Sequence, residues 1–114
     1  LTAPQRGEIY LVDLDPPDAP GAGRTGRAIV LSIAARNRHT AHVLVAPITT
    51  RHADRLHPGE ATLAAGEAGL TRPAKILLDC LRSVPKSRLH GPLTVLSPDR
   101  LAEIDRTLRL SLGL

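Results

Sequence analysis

Aromatic residues are almost absent from this sequence of 114 residues, because Tyr10 is the only one. The core must therefore be built from leucine, isoleucine, valine and alanine. Cys80 is the only cysteine, which excludes an internal disulfide and fits a reducing cytoplasm. No apolar run approaches the length needed to cross a membrane, and residues 1–6 contain no apolar signal core. We therefore expect a cytoplasmic protein with no membrane partner.

The residues that are present indicate a globular chain with a basic surface. Hydrophobic residues make up 42% of the sequence, which favours a folded domain over a disordered chain. The length predicts one domain spanning residues 1–114. The formal net charge is +4 and the pI about 10.2. This balance favours an acidic partner, which is a nucleic acid, an acidic protein or an anionic membrane surface, and charge alone does not choose among them.

A glycine-rich stretch, GAGRTGR at residues 21–27, runs directly into the apolar segment AIVL at 28–31. Glycines let a backbone approach a ligand closely. The guanidinium groups of Arg24 and Arg27 offer forked donors that suit phosphate oxygens. Two interpretations remain open from these residues: a phosphate-binding loop, or a solvated surface loop with two ordinary arginines.

Apolar, β-branched segments bounded by proline, glycine or polar residues predict a series of strands. We expect them at 8–14, 28–33, 42–46, 60–63, 75–84 and 93–96. The third is expected to end at Pro47, since proline cannot continue a ladder. The segment 75–84 has a short buried helix as its alternative, residues 35–40 are a polar connection, and 85–89 are a single helical turn.

The C-terminal segment carries the signals of a helix. Ser97 is a capping residue, Pro98 suits the first helical position, and Gly113 is a helix terminator. An apolar stripe at helical spacing consists of Leu101, Ile104, Leu108 and Leu112. Several short strands followed by one helix predict a small twisted barrel or sheet with a helix packed against it.

The order of motifs resembles the MazF/PemK family of toxin endoribonucleases over nearly the whole chain. The motifs are RGEIYLVDLDP, RAIVLS, VLVAPITT, GEAGL, ILLDCLRSVPKSRL and LAEIDRTLRLSLGL. The resemblance implies a mainly β (α+β) fold, an SH3-like small β-barrel with a C-terminal α-helix. It also implies a homodimeric toxin with a cognate antitoxin. Its expected activity is metal-independent, sequence-selective cleavage of single-stranded RNA, including mRNA, with no cofactor.

Cleavage of RNA without a metal uses the 2′-hydroxyl as nucleophile, so the enzyme must hold the phosphate and stabilise its developing negative charge. The family uses a threonine after the third strand, which corresponds to Thr49 of VAPITT. Its hydroxyl is able to donate to a phosphate oxygen. The alternative is that the Thr49 hydroxyl satisfies a backbone group in the turn after Pro47.

The family's arginine does not align directly with an arginine here. An ungapped alignment places Gly26 at that position and Arg27 one residue later, and a slip of one residue turns a strand side chain to the other face. We expect Arg27 to take the role, with a bulge at Gly26 to turn it back, and Arg24 as the second candidate. A third alternative is weak or lost activity.

Other residues are candidates for RNA binding or proton transfer. The RNA-binding set comprises Arg24, Thr50, Arg51, Asp79, Cys80, Arg82 and Lys86. Cys80 stands where the family commonly has a base-reading glutamine, so a different base preference is expected; its leucine neighbours also indicate a structural setting. Arg82 is either an RNA contact or part of a structural ion pair. Because arginine stays protonated, His39, His42 and His52 are candidates for proton transfer, or else exposed loop residues.

Two non-catalytic functions remain as alternatives. The gyrase-poisoning CcdB-type toxins, which resemble MazF in fold, show that this scaffold need not cut RNA. An inactive relative that binds RNA or an antitoxin is the other alternative. The displaced arginine favours these alternatives, whereas the PITT threonine and the basic loop favour the nuclease.

Overall fold

The computed structural model describes residues 3–14 and 25–114. Within these residues the backbone forms seven strands: β1 (Glu8–Asp13), β2 (Thr25–Val30), β3 (His42–Thr49), β4 (Glu60–Leu63), β5 (Ala74–Leu77), β6 (Arg82–Pro85) and β7 (Leu89–Val95). Two helices accompany them, α1 (Ala34–Asn37) and α2 (Pro98–Leu112). Short 3-10 turns occupy Glu67–Gly69, Leu78–Cys80 and Lys86–Arg88. Neither helix in the described ranges is long and apolar enough to cross a membrane.

All strand pairs are antiparallel and form one sheet in the order β4-β5-β3-β2-β1-β7, with β6 pairing to β3. Within the described residues, β4 and β7 are the two ends of this order. The predicted mainly β class with a C-terminal helix is therefore confirmed. The single turn predicted at 85–89 is also present, as the 3-10 turn Lys86–Arg88.

Both faces of the central strands are buried within the chain itself. One apolar cluster lies between the sheet and α2 and includes Ile9, Ile29, Ile76 and Ile104. A second cluster on the opposite face joins Tyr10 to a set of valines and an alanine: Val12, Ala28, Val30, Val43, Val45 and Val84. Small β-branched side chains thus fill the space that aromatic residues fill in many domains. The apolar character of both faces, which the sequence shows, is satisfied by these two clusters.

The strand predicted at 28–33 is shifted, because β2 runs from Thr25 to Val30. A buried side-chain network ends it: Ser32 Oγ donates to Asn37 Oδ1 at 2.7 Å and accepts from Leu44 N at 3.0 Å. Asn37 Nδ2 donates to Pro4 O at 2.8 Å. The hydroxyl of Ser32 thus accepts the Leu44 N–H in place of a backbone carbonyl of the sheet. The chain then turns into α1, where the sequence predicts only a polar connection.

The strand predicted at 42–46 continues through Pro47 to Thr49. Proline is tolerated there because β3 changes partner, from β6 at Val45 to β5 at Ile48. The missing N–H of Pro47 therefore falls in the break between the two pairings. The prediction that the strand ends at residue 46 is wrong for this reason.

The segment 75–84 is neither one strand nor a buried helix, since β5 and β6 flank the turn Leu78–Cys80. Ile76 lies opposite Ile48 and Arg82 opposite Val45. The advance of six residues from Ile76 to Arg82 therefore corresponds to an advance of only three residues along β3. The 3-10 turn accommodates the three extra residues. Both strands remain on the same edge of β3 as a result.

The last strand begins at Leu89, four residues before its predicted start at 93. Gly91 has a φ of +139°, a conformation that β-carbon-bearing residues rarely adopt, and an added β-carbon would lie 2.8 Å from Leu93 N. β7 tolerates the Gly91-Pro92 pair because it is an end strand with an irregular register against β1.

Helix α2 begins and ends where the sequence predicts. Ser97 Oγ accepts from Arg100 N at 3.2 Å, and Gly113 adopts the left-handed conformation with φ of 72°. Ile104 is fully buried, with Leu101 and Leu108 packed against the same cluster. Leu112, the fourth member of the predicted stripe, is 58% exposed and does not join this cluster.

Candidate active site

A groove of about 490 Å³ lies where the end of β1, the start of β2 and the end of β3 meet. Its described lining residues are Leu14, Thr25, Gly26, Arg27, Pro47, Ile48, Thr49, Thr50, Arg51 and Leu70. Four residues predicted for catalysis or RNA binding are thereby brought together, although up to 24 positions separate them in the sequence. The described lining contains two guanidinium groups and no carboxylate, so it presents positive charge to a ligand.

Leu70, which lines this groove, directly follows the 3-10 turn Glu67–Gly69, and hydrogen bonds hold that turn against α2. Arg100 of α2 donates to both carboxylate oxygens of Glu67 and to Glu103. The Glu67 side chain also accepts from Ala64 N at 2.8 Å. These bonds lower the pKa of Glu67, chiefly through the Arg100 hydrogen bond. The turn before Leu70 is thereby fixed against α2.

The hydroxyl of Thr49 has a defined orientation. Its Oγ1 accepts a hydrogen bond from Arg51 N at 3.0 Å. The Thr49 hydroxyl therefore does satisfy a backbone N–H in the turn after Pro47. This hydrogen bond is compatible with a contact between the same hydroxyl and a phosphate. Because the oxygen accepts from Arg51, its own proton is left to donate to a ligand in the groove.

Arg27 lines the groove, although β2 has no bulge at Gly26 in its pairing with β1. The β1–β2 register runs unbroken from Ile9 opposite Ile29 to Asp13 opposite Thr25, so the expected bulge at Gly26 is absent from this pairing. Strand alternation then places Arg27 on the sheet face of Ile29. Continuing the β2–β3 register from the Ala28–Pro47 pair places Arg27 opposite Ile48.

The same register places Gly26, the position of the family's arginine, opposite Thr49. A β-carbon added to Gly26 would lie 3.2 Å from Leu14 Cδ1. The carbonyl oxygen of Leu14 accepts from Arg82 Nη2 at 2.6 Å. Arg82 of β6 therefore reaches the wall of the groove next to Gly26. Its bond is to a backbone carbonyl, and the ion pairs found among the described residues do not include it.

Three of the predicted RNA-binding residues lie away from the groove lining. Asp79 and Cys80 occupy the turn after β5, where Asp79 N donates to Gly59 O at 3.1 Å. Lys86 Nζ donates to Asn37 O at 2.8 Å and lines a separate cleft with Tyr10 and Arg38. Arg24 lies outside the described residues.

Cys80 is exposed, so the structural setting inferred from its leucine neighbours is wrong. Partial burial of the thiol, and then the Asp79 carboxylate, raise its pKa. A raised pKa disfavours the thiolate, which is the nucleophilic form.

The histidines considered for proton transfer are not among the residues that line this groove. All five lie in the described part of the chain, and none lines it. His42 begins β3 and Thr49 ends it, so the two are roughly 23 Å apart at the usual strand rise. His39 precedes β3, at the end of the strand where His42 lies. His52 is exposed and has a φ of 53°. Within residues 3–14 and 25–114, no three histidine, cysteine or acidic residues are grouped to hold a metal ion.

The sequence reasoning missed an ion pair beside the groove. Lys75 Nζ and Glu60 Oε1 are 2.9 Å apart, and their side chains are 6% and 8% exposed. Lys75 lies directly opposite Thr49 in the β3–β5 pairing. The available signal was a single lysine inside the apolar strand AKIL, since an unpaired lysine is rarely buried.

A family model described as "PemK-like, MazF-like toxin of type II toxin-antitoxin system" matches residues 5–112. The chain belongs to this family. MazF from Deinococcus radiodurans is 30% identical, with a TM-score of 0.79 and coverage of 100% of both chains. A MazE-MazF structure from the same organism has 32% identity, a TM-score of 0.79 and 98% coverage of each chain.

An endoribonuclease from a mycobacterial species, in complex with its cognate antitoxin, is also similar. It is 27% identical, with a TM-score of 0.80, and the match covers 98% of this chain and 97% of that one. All three structures are similar to this chain over essentially their full lengths, which confirms the predicted barrel-like fold with its C-terminal helix.

Proposed function

We propose that this PemK/MazF-like toxin is an endoribonuclease that cuts single-stranded RNA, including mRNA, at selected sequences without a metal. The observation that carries the proposal is the groove whose described lining includes Arg27, Thr49 and Arg51. Guanidinium groups and a hydroxyl donor are the groups that a phosphodiester needs around it. The similar structures named as endoribonucleases support the same activity.

In the proposed mechanism, a phosphate enters the groove and accepts hydrogen bonds from Arg27 and from the Thr49 hydroxyl. Arg51 N–H holds the Thr49 oxygen, so that the hydroxyl proton is directed away from the backbone. The 2′-oxygen of the RNA loses its proton to water and attacks phosphorus. The 5′-oxygen leaves and takes a proton from water, and the products are a cyclic phosphate and a 5′-hydroxyl. Arg27 stabilises the charge that develops on the phosphate oxygens.

The test is incubation of a long RNA with the protein in EDTA, followed by mapping of the cut positions and the product ends. We expect cuts at one recurring short sequence, each leaving a 5′-hydroxyl. No cleavage of any RNA would contradict the proposal. That result would favour the non-catalytic alternatives, for which the structural argument is the glycine, Gly26, at the position of the family's arginine.

We also propose a cognate antitoxin and a second copy of the chain as partners. Similar structures contain an endoribonuclease with its antitoxin, and MazE with MazF. For the second copy, the support is an apolar patch on the end strand β7, where Leu93 is 47% and Val95 is 63% exposed. Leu11 of the neighbouring β1 is also exposed. Exposed apolar residues that lie together, as Leu93 and Val95 do along one shallow cleft, mark interaction surfaces.

Light scattering at micromolar concentration tests the homodimer. We expect twice the monomer mass for the wild type and a shift toward monomer for Val95→Asp, because a carboxylate placed in an apolar interface is left without a partner. Arg106→Asp on the exposed part of α2 is the control and should leave the mass unchanged. A monomer mass for the wild type would contradict the proposed dimer.

Binding of single-stranded RNA should weaken as salt increases. Each neutralised phosphate contributes about −0.7 to the slope of log affinity against log salt, so Arg27→Ala and Arg51→Ala should each flatten that slope by about 0.7. Lys86→Ala tests the second cleft, and flattens the slope only if RNA extends there. Arg106→Ala is the control, and binding that does not respond to salt would contradict the phosphate contacts.

A further inference from the structure

The loop between β3 and β4, residues 50–59, follows Thr49 directly and forms one wall of the groove through Thr50 and Arg51. Most of its residues are exposed. Local turns bend it, with Arg55 N donating to His52 O at 3.0 Å and Glu60 N to His57 O at 3.1 Å. Such a loop needs a tether to the sheet if it is to keep one conformation.

The Lys75–Glu60 pair supplies that tether at two points. Lys75 Nζ donates to Arg55 O at 2.9 Å as well as to Glu60 Oε1 at 2.9 Å. Glu60 Oε1 in turn accepts from His57 N at 2.9 Å. One carbonyl and one N–H of the loop are therefore bound to side chains that are themselves buried on β4 and β5.

Lys75, one member of the pair, also lies in register with Thr49. Lys75 is the residue opposite Thr49 across β3 and β5, and β4 places Thr62 on its other side. The loop therefore leaves the sheet at Thr49 and is bound again by the residue directly beside Thr49. Between these two points lies Arg51, whose N–H holds Thr49 Oγ1.

We propose that the buried Lys75–Glu60 pair positions the Thr49 hydroxyl for cleavage, by clamping the loop that carries Arg51. The inference rests on the proposed endoribonuclease function. Lys75 and Glu60 are positioning residues, since neither lines the groove.

Desolvation makes a buried ion pair a weak source of stability compared with apolar side chains of similar volume. A positioning role accounts for its presence here better than a stabilising one. The His57 N–H and then the Lys75 ammonium lower the pKa of Glu60, so the carboxylate keeps its charge through the neutral range and the clamp stays closed.

The test separates positioning from stability with the double variant Lys75→Met/Glu60→Leu. Single variants leave a buried charge without a partner and are expected to unfold more easily. The double variant removes both charges and fills the space, so we expect its melting temperature to stay near that of the wild type. It still lacks the groups that hold Arg55 O and His57 N.

For this folded double variant we expect kcat for RNA cleavage to fall about 10- to 100-fold, the cost of a misplaced catalytic group, with little change in KM. Exchange of the Arg51 amide hydrogen should become faster, while that of Leu44, which donates to buried Ser32 Oγ, stays slow. The matched control is Arg6→Met/Asp105→Leu. This control removes the Arg6 side chain, which donates to Leu31 O and to the Asp105 carboxylate away from the groove. The kcat of this control should not change.

Wild-type kcat in the folded double variant would overturn the proposal, as would an unchanged exchange rate of the Arg51 amide. Cleavage by the wild type is measured first, so that a failure of the endoribonuclease function is recognised separately. If the wild type cuts no RNA, the proposed function fails, and the Arg51 exchange rate alone decides whether the clamp exists.

Discussion

Replacing Arg27 with alanine should slow RNA cleavage by roughly 10²–10³, the usual cost of losing one preorganised charge stabiliser. Arg27 is the arginine that the described part of β2 brings to the groove, which Thr49 also lines. The loss should appear in kcat, because the developing charge on the phosphate exists only in the transition state. Single-turnover cleavage of a short RNA that contains the mapped sequence measures it.

Two further variants define the arginine's role. Arg24→Ala tests the second candidate, which is joined through its peptide bond to the groove residue Thr25. If Arg24→Ala is inactive and Arg27→Ala is near normal, the role belongs to Arg24 and the chemistry is unchanged. Full rates for both variants would contradict an arginine-stabilised transition state. Arg106→Ala, on the exposed face of α2, is the control for the loss of a guanidinium.

An RNA with a single 2′-deoxynucleotide at the cut position should bind normally and resist cleavage completely. The 2′-oxygen is the attacking atom in the proposed mechanism, so its removal eliminates the nucleophile and leaves the phosphate contacts in place. Binding is measured by fluorescence anisotropy and cleavage by gel, with a deoxynucleotide three positions away as the control. Cleavage of the deoxy substrate at the original position would contradict attack by the 2′-oxygen.

The sequence predicts the elements that depend on local signals. Ser97, Pro98 and Gly113 define α2 because capping is a matter of neighbouring residues. The central strands follow from their β-branched runs. The division of 75–84 into β5 and β6 could not be predicted, because it depends on which residues of β3 each part faces. The continuation of β3 through Pro47 has the same origin.

The site was predictable only in part. The resemblance selects Thr49 and an arginine near Arg27, and the structure places both in one groove. The unbroken β1–β2 register leaves Arg27 on the other strand face from Gly26, yet both residues line the groove. The approach of Arg82 to Leu14 depends on a contact across 68 positions of sequence. The Lys75–Glu60 clamp likewise joins β4 to β5, and no local pattern around either residue marks it as a pair.

The central claim is that the groove of Arg27 and Thr49 cuts RNA without a metal. The most direct measurement is the single-turnover cleavage rate in EDTA for the wild type and for the folded double variant Arg27→Ala/Thr49→Ala, on the same RNA. We predict that the wild type cleaves, leaving 5′-hydroxyl ends, and that the double variant shows no detectable cleavage at the same sites. Equal rates for the two proteins, or cleavage by the wild type only when a divalent metal is supplied, would contradict the account.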